Sequence, residues 1–241
     1  MRWIAQILLL ALTAGIAFGQ TPHRVTAPNR AFAERALALQ KSGADFDHIF
    51  TGLCDLVLSN VDQNPKLRYD DQARAMFGGL WLWTRQSGRP LFQGQPDKAL
   101  HFIWGGTFEG YWDAGRPAAV RKEQLDMQTP GNAYDLDDLA ATIMGTRWVD
   151  VAANSTPEQA RRWFEMWASG RCTLTKSLPK LHWGRLKPGT EPSPAIVEEI
   201  NKEITEAVAL PTPAPLSTFP PHPNAPPPAS SAAVPPAPSP K

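Results

Sequence analysis

DKALHFIWGGTFEGYWDAGRPAAVRKEQLDMQTPGNAYDLDDLAATIMG, residues 97–145, decides how the rest of this chain is read. Helical spacing divides it into three short segments, which carry His101, Glu109, Lys122, Glu123, Asp126 and Asp138 so that each segment aims its polar side chains from one face. In the first, His101, Gly105, Glu109 and Asp113 recur every fourth residue, behind Asp97 as the expected N-cap. Gly105 on that stripe removes bulk, so another helix or a ligand can approach the polar groups. In the second, Pro117 to Gln128, Ala119, Glu123 and Asp126 share a face and Lys122 is placed to pair with Asp126. Thr129-Pro130-Gly131-Asn132 turns the chain, and Asp135 is the expected cap of the third segment, which runs through Asp138 and Thr142 to Gly145. Short connections make the three segments neighbours and let their polar faces converge.

Four chemistries fit such a convergence. One is a buried hydrogen-bonded and ionic network that fixes the register of the helices, since buried charges must be paired. A second is a divalent metal site using His101, Glu123, Asp126 and Asp138; an ion there would polarise a substrate and activate water, making the domain a hydrolase. One histidine favours an oxygen-seeking ion over zinc, and no HExxH motif is present. A third makes Glu109 or Glu123 a general acid of raised pKa, working with a nearby Asp on a glycan. In the fourth, Asp135 and Asp138 only cap their helix and His101 is an ordinary core histidine.

Outward from this stretch the chain continues as helices. A helix after Asn29 carries Phe32, Ala36 and Leu39 on one face and ends at Gly43. Asp45 to Val61 carries a broad apolar stripe with Cys54 beside it, and a third helix from Asp70 or Asp71 to Arg85 contains Gly78-Gly79, a pair that costs helix stability and admits a neighbouring backbone. Thr156-Pro157-x-Gln159 has the form of a capping box ahead of Trp163, Phe164 and Trp167. Leu178, Leu181, Trp183 and Leu186 lie in an irregular segment expected to drape over the helices, and Ala195 to Leu210 is a last amphipathic helix. Nine tryptophans point to aromatic core packing.

Both ends differ from this middle. Residues 1–19 have one early Arg, an apolar run from Ile4 and a small-x-small site at Ala17 and Gly19, which predicts a cleaved signal peptide, a first mature residue Gln20 and a periplasmic or secreted product without a transmembrane span. Residues 20–28 read as a flexible lead-in, 29–210 as the helical domain, and 211–241 as a disordered tail with about half of the 25 prolines and no Asp or Glu. Fully extended, at ~3.1 Å per residue, that tail would reach on the order of 90 Å, enough to act as a spacer or to dock on an envelope or cell-wall component. In an exported protein the two cysteines, Cys54 and Cys172, are most simply a disulfide. A net charge of +1 with no Lys/Arg-rich run gives no basis for nucleic-acid binding, and without a Gly-rich phosphate loop or GxSxG elbow nucleotide-dependent and classical serine-hydrolase functions lose their usual anchors.

The spacing DKxxHF, then KExxD, then YDxDDLxAxxxG resembles the YfiM-like lipoproteins, small bacterial envelope proteins whose biochemical role is not established. The resemblance covers residues 97–145, and it implies that Asp97, Lys98, His101, Lys122, Glu123, Asp126 and Asp138 are characteristic polar positions of a compact helical unit at the cell envelope. The chain departs from that family in lacking a cysteine behind the leader, in placing Glu109 and Asp113 mid-segment, and in its flanking helices and long tail. The expectation is therefore a mainly α protein: a compact multi-helix bundle with irregular loops, exported, with a polar centre that is structural or interacting, or else a metal-assisted hydrolase of an envelope polymer or ester.

Overall fold

The computed structural model describes residues 26–87, 90–92, 95–127, 132–177 and 180–208, without the side chains of a few helical residues, Asp126 among them. The expected leader, the lead-in up to Val25 and the proline-rich tail lie outside the described residues. So does Leu178.

The described chain is helical throughout its regular parts: α1 (Ala27–Lys41), α2 (Phe46–Gln63), α3 (Tyr69–Ser87), α4 (Pro96–Trp112), α5 (Gly115–Met127), α6 (Leu136–Ala153), α7 (Pro157–Ala168), the single turn α8 (Leu174–Ser177) and α9 (Pro194–Val208). Pairing of extended backbone is limited, among the described residues, to the isolated bridges Phe92–Gln95 and Asp135–Arg185. None of the described helices is long and apolar enough to cross a membrane.

Local chemistry explains most of the boundaries. Asp45 caps α2 by accepting from the His48 amide at 2.9 Å, and Thr156 with Gln159 forms the anticipated capping box of α7. Asp135 caps α6, its Oδ1 accepting from the amides of Asp137 at 3.0 Å and Asp138 at 3.1 Å. Two caps differ from expectation. The first helix is capped by Thr26, with Pro28 in its first turn, so Asn29 is already helical and its side-chain amide is used to bind the Tyr111 hydroxyl on α4. Helix α4 starts behind Gln95 with proline in its first turn; Asp97 sits inside that turn, favoured there by the helix dipole, and the cap makes no side-chain hydrogen bond.

The core lies where α2, α3, α4, α6 and α7 meet. Phe50 is fully enclosed and touches Phe77, Phe102, Trp148 and Trp167 edge-on, with the Trp148 ring centroid 5.0 Å away. Trp148 in turn lies 4.1 Å from Trp163. Burying one such side chain contributes about 1.5–3 kcal/mol, so this cluster orders the bundle before any polar interaction is considered. The Gly78-Gly79 pair does admit a neighbour: a Cβ on Gly79 would lie 2.8 Å from the carbonyl oxygen of Asn29 in α1.

The expected disulfide is not formed. Cys54 and Cys172 are both free thiols and are not at disulfide distance. Cys54 lies wholly inside the core, where burial pushes its thiol well above the ordinary range, whereas Cys172 is partly exposed beyond the end of α7. The pairing expectation rested on an even count in an exported chain. The stripe of α2 instead uses Cys54 as a small apolar side chain.

Candidate functional site

Helices α4 and α6 form the most extensive contact in the fold, and glycine makes it. A Cβ at Gly105 would overlap the backbone carbonyl of Thr142, and one at Gly145 would overlap that of Phe102. The two backbones therefore touch along this seam, which brings the first turns of α4 beside the first turns of α6. Helix α5 packs on both, and the segment 180–186 crosses the start of α6, its Gly184 carbonyl accepting from Leu136 N–H and its Leu186 N–H donating to the Tyr134 carbonyl, each at 2.9 Å.

Into this junction project Lys98 and His101 from α4, Lys122 and Glu123 from α5, and Asp138 and Thr142 from α6. Lys98, only 2% exposed, places its Nζ 2.6 Å from Asp138 Oδ1 and 3.1 Å from Asp135 Oδ1. Asp97 joins from the rim, 3.9 Å from the same ammonium. Asp135 is also bound by Arg185 Nε at 2.7 Å. Lys122 Nζ lies 3.2 Å from Glu123 Oε1, and Glu123 is 1% exposed. His101 has Nδ1 3.2 Å from Thr142 Oγ1 and 3.9 Å from Glu123 Oε1, and Nε2 3.4 Å from Asp138 Oδ2. His101, Glu123 and Asp138 offer one ligand atom each, all within 4.8 Å of one another.

Burial and charge set the protonation states. Burial first, then the ammonium groups of Lys122 and Lys98, hold the His101 imidazole well below its ordinary range, so it is neutral. Burial raises the Asp138 carboxyl to about 6 although Lys98 opposes it. Burial acts the same way on Asp135, but Arg185 and Lys98 outweigh it and keep this carboxyl below its usual range. For Lys98 burial disfavours the ammonium, and Asp138 with Asp135 more than compensates, so its pKa is raised. The Tyr134 hydroxyl, fully buried and without a hydrogen-bond partner among the described residues, is raised by burial and by the charges of Glu123 and Glu191.

The tautomer of His101 follows from these contacts. Thr142 donates its single hydroxyl hydrogen to the Asp138 carbonyl at 2.9 Å, the usual bond of a helical threonine to the preceding turn. Its oxygen is then the acceptor for His101 Nδ1–H. A neutral imidazole has one N–H, so the Nε2 lone pair is left facing Asp138 Oδ2.

Of the residues singled out from the sequence, Lys98, His101, Lys122, Glu123 and Asp138 meet here, with Asp97 at the edge. The side chain of Asp126 lies outside the described residues, so its expected part in the site and its expected pairing with Lys122 are not placed. Glu109 stands apart. Two turns beyond His101, about 12 Å of helix rise, it accepts the Gly115 amide at 2.9 Å and so caps the start of α5. Burial, and a shared hydrogen bond with Asp113, lift its carboxyl to about 7. Thr142, Tyr134 and Arg185 belong to the junction and were not anticipated. Thr142 follows Asp138 by one turn and had a readable signal, whereas Arg185 reaches the site only because the irregular segment folds back.

A separate cavity of about 310 Å³ lies between α5 and the start of α9, lined by Val120, Gln124, Tyr134, Glu191, Pro194 and Val197 among others. Compared with known protein families, with curated proteins and with solved structures, the chain matches none.

Proposed function

We propose that this is an exported, cell-envelope-associated helical protein in which the polar centre is an ionic clasp, a structural device that holds α4, α5, α6 and the returning segment in one register so that the bundle presents a fixed surface to a partner. The observation that carries the clasp is its pairing: each buried carboxylate has a cation within 3.2 Å, Lys98 on Asp138 and Asp135, Lys122 on Glu123, and Arg185 on Asp135. Charges removed from water survive only when compensated in this way. Export and envelope association rest on the leader-like residues 1–19 and on the resemblance over residues 97–145. The proline-rich tail is the natural docking arm for a cell-wall component. Expression of the full chain in a bacterium, followed by osmotic-shock fractionation and N-terminal sequencing of the released protein, tests the export half. A product beginning at Gln20 in the periplasmic fraction is expected, and retention of Met1 in the cytosol would overturn it.

A metal-assisted hydrolase of an envelope polymer or ester is the second reading, favoured by the close approach of His101, Glu123 and Asp138. It requires a substrate to reach three residues that are each at most 8% exposed. That burial ranks it below the clasp.

A further inference from the structure

We infer that His101, Glu123 and Asp138 form a binding site for one first-row divalent cation, which takes the place of the Lys122 ammonium at Glu123. The inference goes beyond the clasp and does not depend on hydrolytic activity.

Three observations support it. The first is the donor set, one imidazole nitrogen and two carboxylates drawn from α4, α5 and α6, with ligand atoms within 4.8 Å of one another. An ion with bonds of about 2.1 Å places neighbouring donors roughly 3.0–3.5 Å apart. The Nε2–Oδ2 separation of 3.4 Å already fits that spacing, and Glu123, whose Oε1 lies 3.9 Å from Nδ1 of the same ring, must swing toward the Nε2 side to share the ion.

The second is the His101 lone pair. With Nδ1–H committed to Thr142, whose own hydroxyl hydrogen goes to the Asp138 carbonyl, Nε2 and Asp138 Oδ2 face each other as two acceptors inside the protein. Two buried acceptors in contact call for a cation between them, and the Nδ1–H bond is the outer contact that orients a metal-binding imidazole. Tyr134 adds a buried hydroxyl without a hydrogen-bond partner among the described residues.

The third is charge. Glu123 is held by Lys122 and Asp138 by Lys98, and the two ammonium groups differ in how firmly they are placed. Lys98 is sealed in, whereas the Lys122 side chain is 14% exposed and carries its ammonium on a flexible stem. When Lys122 withdraws toward solvent, a dication takes its place at Glu123. Mixed imidazole and carboxylate donors suit Mn²⁺ well.

The test is calorimetric titration of chelator-treated full-length protein with Mn²⁺, together with NMR of the histidine rings. One Mn²⁺ per chain is expected, with selective broadening of His101 over the exposed His48 and His182. Lys122→Met should bind at least tenfold more tightly because the competing ammonium is gone, and Glu123→Gln at least tenfold more weakly. A folded wild-type protein that takes up no Mn²⁺ at millimolar concentration overturns the inference, as does uptake that leaves the His101 ring unbroadened. An unchanged affinity in Lys122→Met overturns the displacement. Should Glu123→Gln fail to fold, the wild-type and Lys122→Met titrations still decide. The clasp is judged separately, by stability in chelator.

Discussion

Replacing Lys98 by methionine keeps most of the aliphatic stem in place and removes only the ammonium. Its two closest partners then fare differently. Asp135 retains Arg185 at 2.7 Å, but Asp138 is left with the His101 Nε2 lone pair at 3.4 Å, which offers no proton. Removing one partner of a buried ion pair costs about 3–5 kcal/mol. Asp138 can relieve part of this by taking up a proton, since its carboxyl already stands at about 6, so the lower end, about 3 kcal/mol, is expected at neutral pH. For a fold of this length that corresponds to roughly 6–12 °C in Tm. Urea unfolding followed by the fluorescence of the buried tryptophans, in the presence of EDTA, measures it. A loss below about 1 kcal/mol with an unchanged m-value would refute the reasoning, because a cation at 2.6 Å inside the protein cannot be dispensable.

Gly145→Ala places a methyl group against the Phe102 backbone carbonyl, which cannot rotate away, so α4 and α6 must separate; a loss above about 3 kcal/mol is expected in thermal unfolding. Gly110→Ala serves as its control, since the new Cβ lies 3.1 Å from the flexible Arg74 side chain and helix propensity favours alanine by about 1 kcal/mol. Glu109 holds its proton up to about 7 in the fold against an ordinary value of 4.5, so the folded state binds more protons between these values and stability falls as pH rises through them. Glu109→Gln, which keeps an acceptor for the Gly115 amide, should gain about 1–2 kcal/mol at pH 8 after allowance for partial solvent screening, and should flatten the pH profile from 4.5 to 7; an unaltered profile would show that Glu109 is ionised in the fold at low pH. With a thiol reagent, Cys172 should react in the native protein and Cys54 only on unfolding, and dithiothreitol should leave Tm unchanged; a loss of Tm under reduction would restore the disulfide.

How far the fold could be read in advance followed from how local its determinants are. The α7 capping box, the Asp135 cap and the buried tryptophans depend on a few neighbouring residues or on apolar periodicity, and these were legible. The first helix was placed too late because Asn29 looked like a cap, when its amide is used across the fold at Tyr111 and Thr26 caps instead. Within the site, convergence of His101, Glu123 and Asp138 followed from helical spacing and the Gly105 stripe, whereas Lys98 was pointed to only by the resemblance over residues 97–145. Glu109 shares that stripe yet serves the turn into α5, since spacing along a helix does not reveal where the partner helix ends. Arg185 and the fates of the two cysteines depend on how a loop folds back and which way a helix rolls, properties of the packed whole that no local pattern carries.

The central claim, that charges from neighbouring helices meet and pair inside the bundle, is tested most directly by a double-mutant cycle on Lys98→Met and Asp138→Asn, measured by urea unfolding in EDTA. If the 2.6 Å contact exists, each single change strands the other partner and the double change strands neither, giving a coupling energy of about 2 kcal/mol or more. Additive losses, with a coupling below about 0.5 kcal/mol, would place the two groups out of contact and contradict the clasp.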